Sequence, residues 1–533
     1  MRHVAEASLS QADAQENIIL GSNIPERALL LRRLLAALMV FAKPASGRQD
    51  LLLVSVHDIA ECAGSGSPAL PVRNDTSALQ RMRSGHPTEL AAGCPATQPC
   101  NPYRRGLDCP RITAWTFAML NPHTFLRALF DRAVEVADPM RALARHLPPK
   151  PAGRVVVIGA GKASARMAEA VEAEWGPCDG LVITRTGYGR PCRGIEIVEA
   201  AHPVPDAAGL AATARMLALC QELGPDDFVL ALISGGASAL LVAPVPGVTF
   251  AEKRAVNMAL LKSGAPISQM NTVRKHLSCV KGGQLAAAVY PAQMLALMIS
   301  DVPGDDPAFI GSGPTVGDTT TPADALEVLG RWQIDVPAPV RMALTAPSRV
   351  IAPGDIRLSQ VENRIFAAPA QSLAAAADMA RAAGVPVQIL GDALEGEARE
   401  VASDMAKLAL SQRGPMLLLS GGELTVTRRG DGIGGPNAEF CLGLAIALQG
   451  APGIHALACD TDGVDGAAEV AGAVIGPDTL QKAARAGIDA PNALARNDAH
   501  SFFAGIDAQV ITGPTLTNVN DFRAILITQE HQN

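Results

Sequence analysis

Nine short apolar runs follow one another along this chain, and helix-like stretches separate most of them. In order they read RVVVIG, GLVIT, GIEIVEA, DDFVLALIS, QMLALMIS, NRIFAA, VPVQIL, PMLLLSGG and GIHALACD, the first beginning at Arg154 and the last ending at Asp460. Runs of this length suit strands, and RVVVIG, an unbroken β-branched run ending in glycine, suits one buried in a parallel sheet. Strands alternating with helices predict parallel sheet covered on both sides. The expected fold class is therefore α/β, with two doubly wound, Rossmann-like domains and a cleft between them. Residues 331–360 are proline-rich and weakly periodic, and are the expected connection between the two.

The first 117 residues follow no such pattern. They hold Cys62, Cys94, Cys100 and Cys109 among glycine- and proline-rich stretches, and no helical or strand period persists. The apolar stretch 29–42 is interrupted by Arg32 and Arg33 and is too short to span a bilayer. Residues 1–117 are thus expected to be an extension without a packed fold, with Met119 as a candidate true start. Residues 118–350 would form the first α/β domain and 351–533 the second.

Composition narrows the partners. With 45 basic against 52 acidic side chains the formal charge is −7, and aromatics make up only 3% of the chain. That balance argues against nucleic acid and an anionic membrane surface, and the usual base-stacking platforms are missing. The ten cysteines show no CxxC pair and no zinc-like spacing, so a reduced, cytoplasmic setting is expected. Oligomeric state is not legible, and a homo-oligomer is left open.

The stretch RVVVIGAGKASARMAEA, residues 154–170, joins a strand to a helix through a turn containing Gly159, Gly161 and Lys162. Such a turn can offer backbone N–H groups and a helix dipole to a phosphate. The dinucleotide fingerprint asks for a third Gly or Ala where Ser164 stands, and for an acidic residue at the end of the next strand. That strand ends in Arg185, which would suit only a 2′-phosphate. A lysine inside the turn is unneeded for a dinucleotide, but useful beside a phosphoryl group in transfer.

Four other strand ends carry glycines, hydroxyls and carboxylates: Ser234, Gly235, Gly236 and Ser238; Asp301, Asp305 and Asp306; Ser420, Gly421, Gly422 and Glu423; and Asp460, Asp462 and Asp465. Ligands of open α/β sheets bind outside the carboxyl ends of the strands, and carboxylates there suit Mg²⁺. Residues 271–286, NTVRKHLSCVKGGQLA, crowd Arg274, Lys275, His276 and Lys281 together. That is either a solvated helix face or an anion site, and His276 by itself reads as a structural histidine.

Taken in order, VIGAGKAS, AHPVPD, ISGGASALL, NTVRKHLSCVKGGQLA, SDVPGDDPAFIGSGPT, LSGGELTV, GGPNAEF and DTDGVDGAAEVAGA resemble the glycerate 2-kinase family over residues 125–527. The carboxyl-terminal part of that family, residues 410–527 here, is called the MOFRL domain. Members have often been labelled hydroxypyruvate reductase, from their place in tartrate degradation. The resemblance implies phosphorylation of D-glycerate to 2-phosphoglycerate by ATP with Mg²⁺, in a cleft between two α/β domains. It implies catalytic roles for Lys162, Arg274 and Asp301. Gly159, Gly161, Ser234, Gly235, Gly236, Ser238, Lys281, Gly421, Gly422 and Glu423 would bind substrate or nucleotide, and Asp305 and Asp462 would hold the metal. One departure stands out. Where many members read GGRNQE this chain reads GGPNAE, so the family's arginine is Pro436, and Arg428 or Arg429 is the expected replacement. The alternative is an NAD(P)H-dependent hydroxypyruvate reductase, which Ser164 and Arg185 fit poorly. A non-catalytic sugar-phosphate sensor finds no partner-binding motif in support.

Overall fold

The computed structural model describes residues 121–466 and 468–528. The extension, its four cysteines and Met119 lie outside the described residues.

Two six-stranded sheets organise the chain. The first consists of β1 (Val155–Ala160), β2 (Asp179–Arg185), β3 (Ile195–Ala200), β4 (Phe228–Ile233), β5 (Gln293–Ile299) and β6 (Val361–Ala367), in the order β3-β2-β1-β4-β5-β6. Every pairing in it is parallel. All six residues of β1 are buried, as a central strand with helices on both faces requires. Chain direction across the sheet reverses between β1 and β4. The gap there, outside their carboxyl ends, is where an open α/β sheet takes its ligand.

The second sheet is built from β7 (Val387–Ile389), β9 (Met416–Ser420), β11 (Ile454–Asp460), β12 (Gly472–Ile475), β13 (Gln509–Val510) and β14 (Asp521–Ile527), ordered β13-β12-β11-β14-β9-β7. A separate two-residue pair joins β8 (Gly396–Glu397) to β10 (Leu424–Thr425). The second sheet has helices on both faces, but only β7 and β9 pair in parallel; the other pairings are antiparallel. The antiparallel content comes from β12, β13 and β14, none of which belongs to the nine apolar runs. β14 reads DFRAILI and is buried throughout. Its Arg523 is 1% exposed and bonded to Asp521 Oδ2 at 3.0 Å and to the carbonyls of Gly421 and Gly422 at 2.6 Å. Burying an arginine is costly, and these acceptors offset part of that cost while its buried Nε has no partner; the residue also interrupts the apolar pattern that marks a strand.

The division expected at 350 and 351 does not coincide with the sheets. β6, beyond it, is the edge strand of the first sheet. Helix α1 (Pro122–Ala137), before it, packs on the second. The apolar residues of α1 recur at helical spacing, Phe125, Leu126, Leu129, Phe130 and Ala133, and they bury against Leu373, Leu417, Phe522 and Leu526. Each large side chain so buried contributes ~1.5–3 kcal/mol, so the start of the chain's pattern is held by its end. Among the described residues no helix is long and apolar enough to cross a membrane, and the six described cysteines are unpaired.

Candidate functional site

The carboxyl ends of β1, β2 and β5 face the β11 and β14 ends of the second sheet across a cleft of about 370 Å³. Its lining includes Lys162, Arg185, His202, Asp301, Glu423, Asp460, Asn518, Asn520 and Asp521. Lys162 projects from the turn after β1 and forms an ion pair with the fully buried Asp462. Burial opposes its charge, but Asp462, Asp460 and Asp301 outweigh that and hold its pKa above the ordinary lysine range. Asp301 follows β5. Its Oδ2 accepts from Asn518 at 3.1 Å and its carbonyl from Asn520 at 2.9 Å, tying the first sheet to the second.

Negative charge is in excess. Burial and neighbouring carboxylates push Asp301 and Asp521 up to about 6, and Asp460 well above its ordinary value. Glu423 is exposed to solvent in the cleft, but the walls around it, with Asp521 and Asp301 nearby, push it up to about 7. His202 goes the other way: burial, with Lys162 and Arg185 beside it, lowers it to about 3, so its ring is neutral.

The turn of residues 159–164 behaves differently from the phosphate cradle expected there. Its N–H groups are taken: Gly161 donates to Ile183 O, Lys162 to Gly235 O, Ala163 to Ser234 Oγ, and Ser164 to Gly161 O. A Cβ at Gly161, where φ is +145°, would collide with Ser234 Oγ, and one at Gly159 with Leu232 O. These glycines let β1 approach β4; what the turn offers the cleft is the Lys162 ammonium. Ser234 is buried and works within this joint. By contrast, the N–H groups of Gly235 and Gly236 find no acceptor among the described residues. Gly236, at φ +81°, lies beneath His202 and Lys162. Consecutive free N–H groups at a left-handed residue suit an anion, so the spare donors are in the turn after β4, although neither glycine is on the cleft lining and the Asp301 carboxylate lies against Gly235.

Lys281 is also placed otherwise than expected. It is 1% exposed and donates to the carbonyls of Ser238 and Leu241 at 2.9 and 3.1 Å. Burial, with Lys253 and Arg274 adding repulsion, holds its pKa well below the ordinary value. It fastens the short helix Ala237–Leu240 and does not line the cleft. Arg274 does not line it either. Its Nη1 lies 3.4 Å from Asn271 Oδ1, and a polar chain runs on through Ser312 to Ser238 Oγ. Lys275 pairs with Asp318, and His276 meets Thr320 Oγ1 at 3.1 Å and Ser348 Oγ at 3.3 Å, as a structural histidine does.

In the second half, Gly421 and Gly422 turn their carbonyls to Arg523, leaving Glu423 to face the cleft. Asp465 caps the helix Pro436–Leu448 through the N–H groups of Asn437 and Ala438 at 3.0 and 2.8 Å. The expected metal residues divide. Asp462 spends Oδ2 on Lys162 and Oδ1 on the Val464 N–H. Asp305, at φ 54°, leaves its buried Oδ1 without a protein partner but does not line the cleft. Among the described residues no three His, Cys, Asp or Glu side chains form a ready cage. Pro436 lines the cleft, whereas Arg428 and Arg429 are exposed and outside its lining. Sequence reasoning assigned no role to His202, Asn518, Asn520 or Asp521. The last three sit in NVND, which runs into β14 at Asp521, and register places Asp521 opposite Asp460; recognising β14 as a strand would have found them.

Residues 125–345 match the model of a family described as a domain of unknown function (DUF4147), and residues 416–521 match the MOFRL family. A protein of Agrobacterium vitis named putative hydroxypyruvate reductase is 53% identical over 413 residues, covering 75% of this chain and 94% of that one. The D-glycerate 2-kinase of Thermotoga maritima is 38% identical over 416 residues, covering 76% and 98%. A crystal structure of a glycerate kinase from the same organism superposes with a TM-score of 0.67 at 36% identity, covering 77% of this chain and all of that one.

Proposed function

The chain belongs to the glycerate 2-kinase family, and from that footing we propose that it transfers the γ-phosphoryl group of ATP to the 2-hydroxyl of D-glycerate. The observation that carries this reading is the meeting of one fixed lysine with several carboxylates in a cleft between two sheets. Phosphoryl transfer asks chiefly for positioning and charge neutralisation, and the cleft supplies both. The Lys162 ammonium, held by Asp462, is aimed at charge on the transferring phosphoryl group. The Gly235 and Gly236 N–H groups receive anionic oxygen. Glu423, near neutrality, takes the proton from the glycerate hydroxyl, since a base works best with a pKa near the operating pH.

The lining fits Mg²⁺, because it offers oxygen donors in excess of the cations present. Asp301 and Asp460 would hold the ion, which commonly takes one or two protein carboxylates alongside substrate phosphates. When bound, Mg²⁺ neutralises phosphate charge. Arg274 acts at a distance, through Asn271 and Ser312, to set Ser238. We place the boundary between the two α/β domains after β6, with α1 contributed to the second. The scattered cysteines, unpaired among the described residues, are what the proposed cytoplasmic setting rests on.

The reductase reading draws on the name carried by the Agrobacterium vitis relative. Against it stands the turn after β1, whose N–H groups are consumed inside the fold and cannot receive a pyrophosphate. The test is purified protein with D-glycerate and Mg·ATP, with ADP release followed and the product's phosphate position assigned. Oxidation of NADPH or NADH by hydroxypyruvate without ADP release would replace the kinase by the reductase.

A further inference from the structure

We propose that Arg185 is the carboxylate-binding residue of the cleft, and that Glu469 occupies it until a substrate acid takes its place. The inference rests on the reading of the cleft as a site for a short hydroxy acid, but not on which reaction that acid undergoes. Arg185 ends β2, next to the strand that delivers Lys162, and lines the same cavity. Among the described residues it is the cleft's one guanidinium.

Two contacts define its state. Nη1 lies 3.2 Å from the Tyr188 hydroxyl, and the guanidinium carbon sits 5.1 Å from that ring's centroid. Tyr188 is 2% exposed, so the fork is held by a buried aromatic and has little freedom left to lose on binding. Nη2 donates to Glu469 Oε1 at 2.7 Å. Glu469 comes from the loop between β11 and β12, across the cleft, and its side chain is 67% exposed. A pair with so exposed a partner is weak. A preorganised guanidinium loosely engaged by a protein carboxylate is a site a substrate carboxylate can enter, and a planar fork suits bidentate recognition of one.

The rest of the cleft points the same way. Asp301, Glu423, Asp460 and Asp521 offer an organic acid no positive charge, Lys162 is engaged by Asp462, and His202 is neutral. Without Arg185 the acid end of a three-carbon substrate would meet no free cation on this lining. Glu469 then acts as a competitor: it holds the guanidinium in place and is displaced by the acid.

The test titrates the full chain calorimetrically with D-glycerate, with hydroxypyruvate, and with D-glyceramide, which lacks the charge. Wild type, Arg185→Ala, Arg185→Lys and Glu469→Gln are compared, with thermal melts to check folding. For Arg185→Ala, Kd for either acid should rise by ~10–100-fold, the size expected for a lost charged hydrogen-bonding partner, while Kd for D-glyceramide stays put. Arg185→Lys should fall between. Glu469→Gln should tighten acid binding by ~2–5-fold, as relief from a weak exposed pair allows. In turnover, KM for the acid should move and KM for ATP should not. If Arg185→Ala leaves acid binding unchanged, weakens D-glyceramide equally, or shifts KM for ATP instead, the assignment is overturned. Failure of wild type to bind either acid also overturns it. Arg185-dependent binding of both acids without phosphorylation of D-glycerate would sink the kinase reading and leave this one standing.

Discussion

Lys162 and Lys281 stand in comparable sequence settings, each beside glycine just ahead of a helix, and the fold gives them opposite fates. Lys162 reaches a cleft where carboxylates from both sheets surround it, and it keeps its charge. Lys281 is enclosed behind the Ser-Gly-Gly turn with only backbone carbonyls as acceptors, and burial works against its charge. The difference teaches that a lysine near a glycine turn is a phosphate ligand only if carboxylates sustain its ammonium and space remains beside it. Otherwise it becomes an internal fastener.

The sharpest way to break this contrast is Lys162→Ala. Turnover should fall ~10²–10³-fold, as when a donor aimed at transition-state charge is lost. Stability should fall too, because Asp462 is left buried and unpaired, a loss of ~3–5 kcal/mol for a broken buried pair. A lysine on an exposed turn would cost no stability when removed; it is the pairing with buried Asp462 that makes this one count. Lys162→Ala with Asp462→Asn should recover much of the melting temperature and none of the turnover. Near-normal turnover in Lys162→Ala would remove the cleft lysine from the reaction.

The carboxylates sharpen the cleft side of the comparison. With Glu423 pushed up to about 7, kcat should rise through neutral pH as its proton leaves, and Glu423→Gln should lose that limb of the profile. The stability sign is the reverse. Glu423 holds its proton in the fold up to about 7 but starts from 4.5 in the open chain, so the folded state binds more protons between those values and stability falls as pH rises across them, by a small amount because the side chain is exposed. Asp301 and Asp521, at about 6 against 3.8, add to this in the lower part of the window. Mg²⁺ should therefore raise the melting temperature more at pH 8 than at pH 5. An equal shift at both would remove the metal from this carboxylate cluster.

On the other side, Lys281→Met should lower stability by ~1–3 kcal/mol, since carbonyls of the short helix lose their donor. KM for glycerate and for ATP should stay near wild type, by steady-state kinetics and chemical denaturation on the same preparation. A large rise in either KM at unchanged stability would return Lys281 to the ligand-binding set. The smallest effect is expected from Arg428→Ala or Arg429→Ala: kcat unchanged, because both side chains are exposed and off the cleft lining. A loss of turnover in either would make it the replacement for the arginine absent at Pro436.

By itself the sequence determined the α/β class, the parallel first sheet and the strand ends that meet at the cleft. These follow from short apolar runs alternating with helical stretches, and from the glycines, hydroxyls and carboxylates clustered where those runs end. It also put Lys162, Asp301 and Glu423 in view, because chemistry-bearing residues at strand ends are visible in one dimension. The tertiary structure alone decided three things. It made the second sheet mostly antiparallel, because β14 hides a buried Arg523 among its apolar residues and loses the pattern of a strand. It turned the glycine turn after β1 into a joint, because the N–H groups of Gly161, Lys162 and Ala163 find acceptors in β2 and in the turn after β4, set by folding and not by spacing. And it separated Lys162 from Lys281, since burial and partner charge are properties of what lies across space, which a linear order of residues does not contain.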